Sequence, residues 1–169
     1  LLALLPATIA GAVIFGAYAL IPVLLCVVCC VGFEAIFNVI TKREQTVGDL
    51  SAAVTGLLLG LNVPANIRLW QCAAGSLFAI IIVKCLFGGI GCNIVNPAIT
   101  ARVVMVMAFS STMTAWVAPR GADLVSGATP LALITEGNMG QLPGIVEMLL
   151  GQRGGCLGET CIIALLMGG

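Results

Sequence analysis

Apolar residues fall in long blocks broken by short polar stretches. The first block, residues 1–20, matches the ~20 residues that a helix needs to cross a hydrocarbon core. Ile21-Pro22 predicts a tight corner, with Pro22 in the first turn of a second helix over Val23 to Ile40, where its missing N–H costs nothing. Lys42-Arg43-Glu44-Gln45 is the first plainly polar loop. Asp49 or Ser51 can cap a third helix, but its apolar run from Leu50 to Leu61 is short for a crossing. Leu69 to Leu86 predicts a fourth span with Lys84 near its end. A glycine-rich joint follows, and then Asn96 as cap and Pro97 at the first helical position open a fifth helix through Phe109 towards Trp116. An indole there suits a membrane interface. Between Val117 and Gly155 the apolar runs are interrupted by Pro119, Arg120, Asp123, Glu136, Asn138, Pro143, Glu147 and Arg153, leaving room for short helices at 130–136 and 143–150. A sixth apolar segment starts at Cys156.

This pattern predicts an all-α polytopic membrane protein in three parts. Residues 1–116 form a five-helix membrane bundle whose third helix is short or broken, residues 117–155 a loop outside the membrane, and residues 156–169 the start of a sixth transmembrane helix. Small residues recur every fourth position at Ala52, Gly56 and Gly60, and at Ala7 and Gly11. In lipid such faces mark close helix–helix contacts; in the first helix general glycine enrichment explains them as well. With the Lys42-Arg43 loop on the cytoplasmic side, five crossings put 117–155 outside. Lys42, Arg43, Lys84 and Arg102 then fall inside, and Arg68, Arg120 and Arg153 outside. The count changes if the third helix re-enters without crossing.

Composition agrees with a lipid solvent. Hydrophobic residues make up 60% of the chain and charged residues 8%, more apolar surface than a soluble domain of this size can hide. Net charge is zero and no basic run occurs, which excludes nucleic acid as a partner. The chain starts Leu1-Leu2-Ala3 and stops at Gly168-Gly169 inside an apolar run, so it reads as a fragment with segments missing at both ends. No small-residue cleavage site marks a signal peptide. There are eight cysteines and no histidine. Cys26, Cys29 and Cys30 lie in a wholly apolar stretch, where cysteine packs as a small hydrophobe, and no metal site is expected.

The stretch that points to chemistry is Asp123-Leu124-Val125-Ser126-Gly127-Ala128-Thr129-Pro130. Pro130 biases Thr129 to extended backbone and can itself be the first helical residue, which makes Thr129 an N-cap. A phosphate hung on that hydroxyl would lie beside free N–H groups at the positive end of the helix. Gly127 and Ala128 leave the approach clear. A plain Ser/Thr/Gly turn capping a short helix uses the same residues.

The stretch resembles the flavinylation motif Asp-x-x-Ser/Thr-Gly-Ala-Thr/Ser, in which the last hydroxyl is esterified to the phosphate of FMN. Together with Phe87-Gly88-Gly89-x-Gly91-x-Asn93-x-x-Asn96-Pro97-Ala98 and Gly154-Gly155-x-x-Gly158-Glu159-Thr160, it makes the whole chain similar to the RnfD family, the D-type subunits of Rnf complexes. These complexes are membrane-bound, ion-translocating ferredoxin:NAD oxidoreductases. The same blocks occur more loosely in the homologous B-type subunits of the sodium-pumping NADH:quinone oxidoreductase, but the direct run from Thr129 into Pro130-Leu131-Ala132 fits the Rnf branch better.

The resemblance implies an electron-transfer subunit with FMN bound covalently to Thr129, flanked by Asp123, Ser126, Gly127 and Ala128, and a second, non-covalent flavin, riboflavin, in the membrane part. It also implies a ten-helix, urea-transporter-like inverted-repeat fold, of which this chain holds about the first six helices. The implied partners are a flavin transferase acting outside the cytoplasmic membrane, a second covalent-FMN subunit, iron–sulfur membrane subunits, membrane lipid, and a transported sodium ion or proton.

Glu34 and Glu159 lie inside apolar runs, where carboxylates are costly and mark function. Asn93, Asn96 and Arg102 flank the joint between the fourth and fifth helices. Some of these residues line a flavin pocket or an ion path, or else Glu34 and Arg102 snorkel to an interface and the asparagines cap helix ends. No residue is expected to be catalytic by itself, since neither a nicotinamide fingerprint nor an iron–sulfur cysteine cluster occurs. Two other classes fit the helices alone: a passive channel of the urea-transporter type, or a membrane subunit without cofactor. Asn96-Pro97-Ala98 matches the aquaporin half-helix string, but aquaporins carry two and this chain has one.

Overall fold

The computed structural model describes residues 1–116, 134–135, 144, 149–151, 155–159 and 161–168. The chain divides into two compact units. Leu1–Leu20, Leu61–Asn66 and Ser111–Gly169 form one, and Ile21–Gly60 with Ile67–Ser110 the other. Among the described residues every regular element is helical.

Helix α1, Leu5–Phe15, has Pro6 in its first turn and ends at Gly16, whose φ of 99° and ψ of 159° belong to glycine almost alone. A 3-10 turn, Ala17–Ala19, leads into α2, Leu20–Ile40. The break therefore falls at Gly16 and not at Ile21-Pro22, because glycine can take the backbone angles of a sharp break. Pro22 instead sits inside the first turn of α2, where no N–H is needed. The expected first span of residues 1–20 is thereby cut to an 11-residue helix.

The second unit holds most of α2, then α3 (Ser51–Leu61), α4 (Leu69–Leu77) and α5 (Pro97–Ala108). Beyond Leu77, α4 continues as a π-helix, Phe78–Cys85, so the fourth apolar block forms one unbroken apolar helix, Leu69–Cys85. A short α6, Ser110–Met113, and α7, Ile162–Gly168, complete the described helices. The expected sixth segment thus begins as a turn at 157–159 and turns helical only at Ile162.

In the first unit α7 packs against α1 and the 3-10 turn Leu2–Leu4. A Cβ on Gly11 would lie 2.9 Å from the carbonyl oxygen of Leu157, so the Ala7/Gly11 face is a true contact face. The Gly158 N–H donates to the Leu61 carbonyl at 2.9 Å.

Helix α2 is inverted relative to a helix in water. Its buried stripe is Val23, Cys26, Cys30, Glu34 and Asn38, at four-residue spacing after Val23, and it carries the polar groups. Its exposed face is aliphatic: Ile21, Leu24, Val28, Ile36 and Val39. Polar inside and apolar outside is the arrangement that a lipid solvent selects. The segment Ala17–Ile40, 24 residues at mean hydropathy 2.6, is the one described helix long and apolar enough to cross a membrane unaided. Helices α3 and α5 and the α4–π helix are apolar but shorter.

The small-residue face of α3 meets α2 backbone to backbone. A Cβ on Gly56 would sit 2.7 Å from the Cys26 carbonyl oxygen and from Val27 Cα, and one on Gly60 2.8 Å from Val23 Cα. Ala52, the third member of that face, lies in a cluster with Cys30, Ile80 and Cys85, flanked by Phe33 and Phe37. Helix α4, its π continuation and α5 pack on one another. Gly75 faces the Met105 thioether so closely that no Cβ fits, and Trp70 meets Phe109 edge to face with ring centres 5.0 Å apart.

Because Gly56 touches backbone, which cannot swing aside, Gly56→Ala should destabilise the fold by about 1–3 kcal/mol through forced separation of α2 and α3. Gly32→Ala is the matched control: nothing lies within 4 Å of its Cβ position, and alanine should be neutral or stabilising there by roughly 0.5–1 kcal/mol. Denaturant unfolding in mixed micelles measures both.

Candidate functional site

Two kinds of polar feature interrupt the apolar helices of the second unit. One is a buried charge cluster between α2, α3 and the π-helix, and the other is the joint leading into α5.

The cluster is built on Glu34 and Lys84, with side chains 3% and 2% exposed and 2.6 Å between carboxylate oxygen and ammonium. Glu34 reaches it from the buried stripe of α2. Lys84 comes from the last turn of the π-helix, where a cation also faces the negative end of the helix dipole. The same Glu34 Oε1 accepts the Thr46 hydroxyl at 2.8 Å, and Thr46 in turn accepts from the Asn38 amide at 3.1 Å. On the other side the Lys84 ammonium donates to Ser51 Oγ at 2.6 Å. One line of bonds therefore runs Asn38, Thr46, Glu34, Lys84, Ser51. The second carboxylate oxygen, Glu34 Oε2, is buried and meets no donor among the described residues.

The loop 41–46 is shaped to deliver Thr46. Lys42 takes a positive φ of 52°, and the Arg43 N–H bonds back to Asn38 O. Arg43 also lies over the Phe37 ring and donates to the Cys85 carbonyl at 3.3 Å, which ties the loop to the end of the π-helix.

Snorkelling of Glu34 to an interface is overturned: the side chain is shut inside the unit and paired. Ser51 is the first residue of α3, preceded by Leu50 at φ 56°; its hydroxyl receives Lys84, a role different from the helix cap expected of it. Lys84, Thr46 and Asn38 are the residues that sequence reasoning missed as site members. The available signal was charge: Glu34 and Lys84 are opposite charges in separate apolar runs, and each needs a partner once lipid replaces water.

The joint contains the expected asparagines. Asn96 caps α5 as its spacing predicted, with Oδ1 accepting from the N–H groups of Ala98 at 3.0 Å and Ile99 at 3.3 Å. Its neighbour Asn93, with its amide nitrogen turned inward, donates to Gly89 O at 3.2 Å and Val83 O at 3.3 Å. Gly88, Gly89 and Gly91 hold φ values of 111°, 94° and 82°; that run of left-handed geometry folds the loop back over the π-helix end, where Gly89 N–H meets Lys84 O at 3.0 Å. Joint and cluster are thus adjacent through Val83 and Lys84. Arg102 lies half-buried on α5. Glu159 belongs to the other unit, exposed in a turn. Asp123, Ser126, Gly127, Ala128 and Thr129 lie outside the described residues.

Truncating either member of the buried pair should be costly. Lys84→Met leaves a carboxylate alone among helices and should lose about 3–5 kcal/mol, whereas pairing it with Glu34→Gln should restore most of that loss. A double-mutant cycle on unfolding free energies tests this, and additive losses would contradict a direct pair.

A family model described as the NQR2, RnfD, RnfE family matches residues 1–169. Among curated proteins, the chain is 42% identical over 171 residues to the D subunit of a Na(+)-translocating ferredoxin:NAD(+) oxidoreductase complex from Acetobacterium woodii, covering 100% of this chain and 54% of that protein. It is 36% identical to the D subunit of a proton-translocating ferredoxin:NAD(+) oxidoreductase complex from Clostridium ljungdahlii, covering 99% and 54%. To the D subunit of an ion-translocating oxidoreductase complex from Shewanella loihica it is 38% identical, covering 95% and 45%. The chain thus spans about half the length of the curated relatives it matches.

Proposed function

The chain belongs to the NQR2, RnfD, RnfE family, and from that premise we propose that it is the membrane electron-transfer part of an ion-pumping ferredoxin:NAD oxidoreductase, carrying FMN covalently on Thr129. The observation that carries the reading is the stretch Asp123 to Pro130 inside a family match that spans the whole chain. The relatives' names support the redox and ion-translocating half of it, and they favour the ferredoxin branch over the quinone-reducing one.

A flavin takes electrons singly or in pairs and so links carriers of both types; that chemistry belongs to the cofactor. The chain supplies the attachment and its surroundings. Thr129 offers the hydroxyl for a phosphoester, with its backbone biased to extended geometry by Pro130. Gly127 and Ala128 keep the approach open to a flavin transferase, and Asp123 and Ser126 complete the pattern that such an enzyme reads. As an N-cap, Thr129 would hold the phosphate beside the first free N–H groups of the following helix.

The surrounding protein is read as multi-pass in a bacterial or archaeal cytoplasmic membrane, with the Thr129 stretch on the outer side and a urea-transporter-like helix arrangement. Riboflavin as a second, non-covalent flavin, a further covalent-FMN subunit and iron–sulfur membrane subunits complete the electron path. Asn93, Asn96, Arg102 and Glu159 are assigned to the flavin or ion path. The moving ion is sodium or a proton, since one relative is named for each.

Expressed beside a flavin transferase, the chain should give a fluorescent band in a denaturing gel, and the peptide spanning 121–153 should carry the added mass of FMN. Thr129→Ala should abolish both, while Thr129→Ser, which keeps a hydroxyl, should retain them. Covalent flavin surviving in Thr129→Ala, or an unmodified peptide from the native chain, would remove the assignment. Within the assembled complex, Glu159→Gln should lower ion pumping per electron with electron transfer intact; unchanged coupling would take Glu159 off the path.

A further inference from the structure

We propose that the buried cluster around Glu34 is a binding site for a small monovalent cation, and that the Lys84 ammonium is its tethered occupant, so that a mobile ion can enter only where Lys84 leaves.

The donor set is the first reason. The groups gathered around the ammonium are hard oxygens: the Glu34 carboxylate, the Ser51 hydroxyl and, bonded to the same carboxylate, the Thr46 hydroxyl. Such oxygens suit alkali cations, whereas thiolates and imidazoles suit transition metals. Their summed charge is minus one, which a single positive charge cancels. A divalent ion would leave net charge buried among apolar helices, at high cost.

The second reason is Glu34 Oε2. It is fully buried, lies in the same carboxylate, and meets no donor among the described residues. A lysine ammonium satisfies one oxygen at 2.6 Å and leaves the other unsatisfied. A spherical ion has no donor directions to satisfy and can bind both carboxylate oxygens at once. The cluster is therefore better matched to a bare ion than to the side chain that fills it.

The third reason is the position of Lys84. It stands in the last turn of a π-helix, a backbone form concentrated at functional sites. Its own carbonyl accepts from Gly89, and the adjacent Val83 carbonyl accepts from Asn93. Rotation of the π-helix end would move the ammonium and the Asn93 joint together. Resting on the ion-translocating function proposed for the chain, Lys84 and a transported ion would exchange at Glu34 as that joint moves.

The test needs neither flavin nor turnover, so its failure leaves the Thr129 assignment standing, and loss of the flavin leaves it measurable. The native chain, Lys84→Ala and Lys84→Ala/Glu34→Gln are reconstituted in lipid nanodiscs and melted in sodium, lithium, potassium or choline chloride at constant ionic strength. Lys84→Ala should gain a saturable stabilisation by at least one alkali ion, absent with choline. It should exceed the native response by about 5 °C or more in apparent melting temperature at a hundredfold excess over Kd. The double variant should lose that gain. No gain in Lys84→Ala, or the same gain in the double variant, overturns the site; so does stabilisation of Lys84→Ala by acid alone, which would mean that Glu34 takes a proton instead. Where Lys84→Ala is recovered too poorly to melt, its folded yield is compared after extraction in sodium and in choline chloride. A sodium-dependent rise confined to the single variant supports the site, and equal yields overturn it.

Discussion

A carboxylate and an ammonium 2.6 Å apart, both closed off from solvent, set the terms for the helices packed around them. Neither charge could stay in that place alone: the cost of taking an ion out of water is met by the close partner, helped by the Thr46 and Ser51 hydroxyls. Loop 41–46 must therefore fold back to bring Thr46 to Glu34, α3 must start where Ser51 can receive Lys84, and the π-helix must end with Lys84 turned inward. Loop 41–46, α3 and the π-helix are thus fixed in register by one pair.

Direct approach of helix backbones makes that pair reachable. At Gly56 and Gly60 the α3 face lets its backbone lie directly against that of α2, which keeps Ser51, at the start of α3, within reach of the cluster. In a lipid solvent there is little apolar driving force to bring helices together, so close packing and polar contacts carry the association. Both occur here: close packing between α2 and α3, and a polar contact from each of them to Lys84 of the π-helix. The outward aliphatic face of α2 and its inward Glu34 and Asn38 are consequences of the same solvent.

Much of this could be read from the residues. The apolar blocks locate most of the described helices, Asn96-Pro97 gives the start of α5 to the residue, and the small-residue repeat marks the contact face of α3 without naming α2 as its partner. Backbone geometry explains the main miss at the N-terminal end: Ile21-Pro22 looks like a corner, yet proline is comfortable inside a first turn, and Gly16 supplies the break. Glu34 stood out as a charge in an apolar run, but its partner lies 50 positions away. Local pattern says that a buried carboxylate needs a cation without saying which one, and Lys84 near a helix end passes for an interface residue. The stretch Asp123 to Pro130 differs in kind. Its residues follow one another in the chain, so its resemblance to a flavinylation motif shows in the string with no fold needed.

Charge also separates the two proposed chemistries along the chain. The phosphoester proposed on Thr129 would bring along a nucleotide phosphate, which needs water or helix N–H groups around it. The sequence of residues 117–155 carries the polar side chains and prolines suited to that. An ion in passage needs the opposite: a low-dielectric surround, in which one fixed charge such as Glu34 acts strongly over a short distance, and a competing charge that empties the site when it returns. A lysine in the last turn of a helix provides such a competitor without any further ligand. Because Lys84 and the Asn93 joint share consecutive carbonyls of the π-helix, any event that reshapes the joint acts on the cluster through one turn of backbone, with no need for a long relay of side chains.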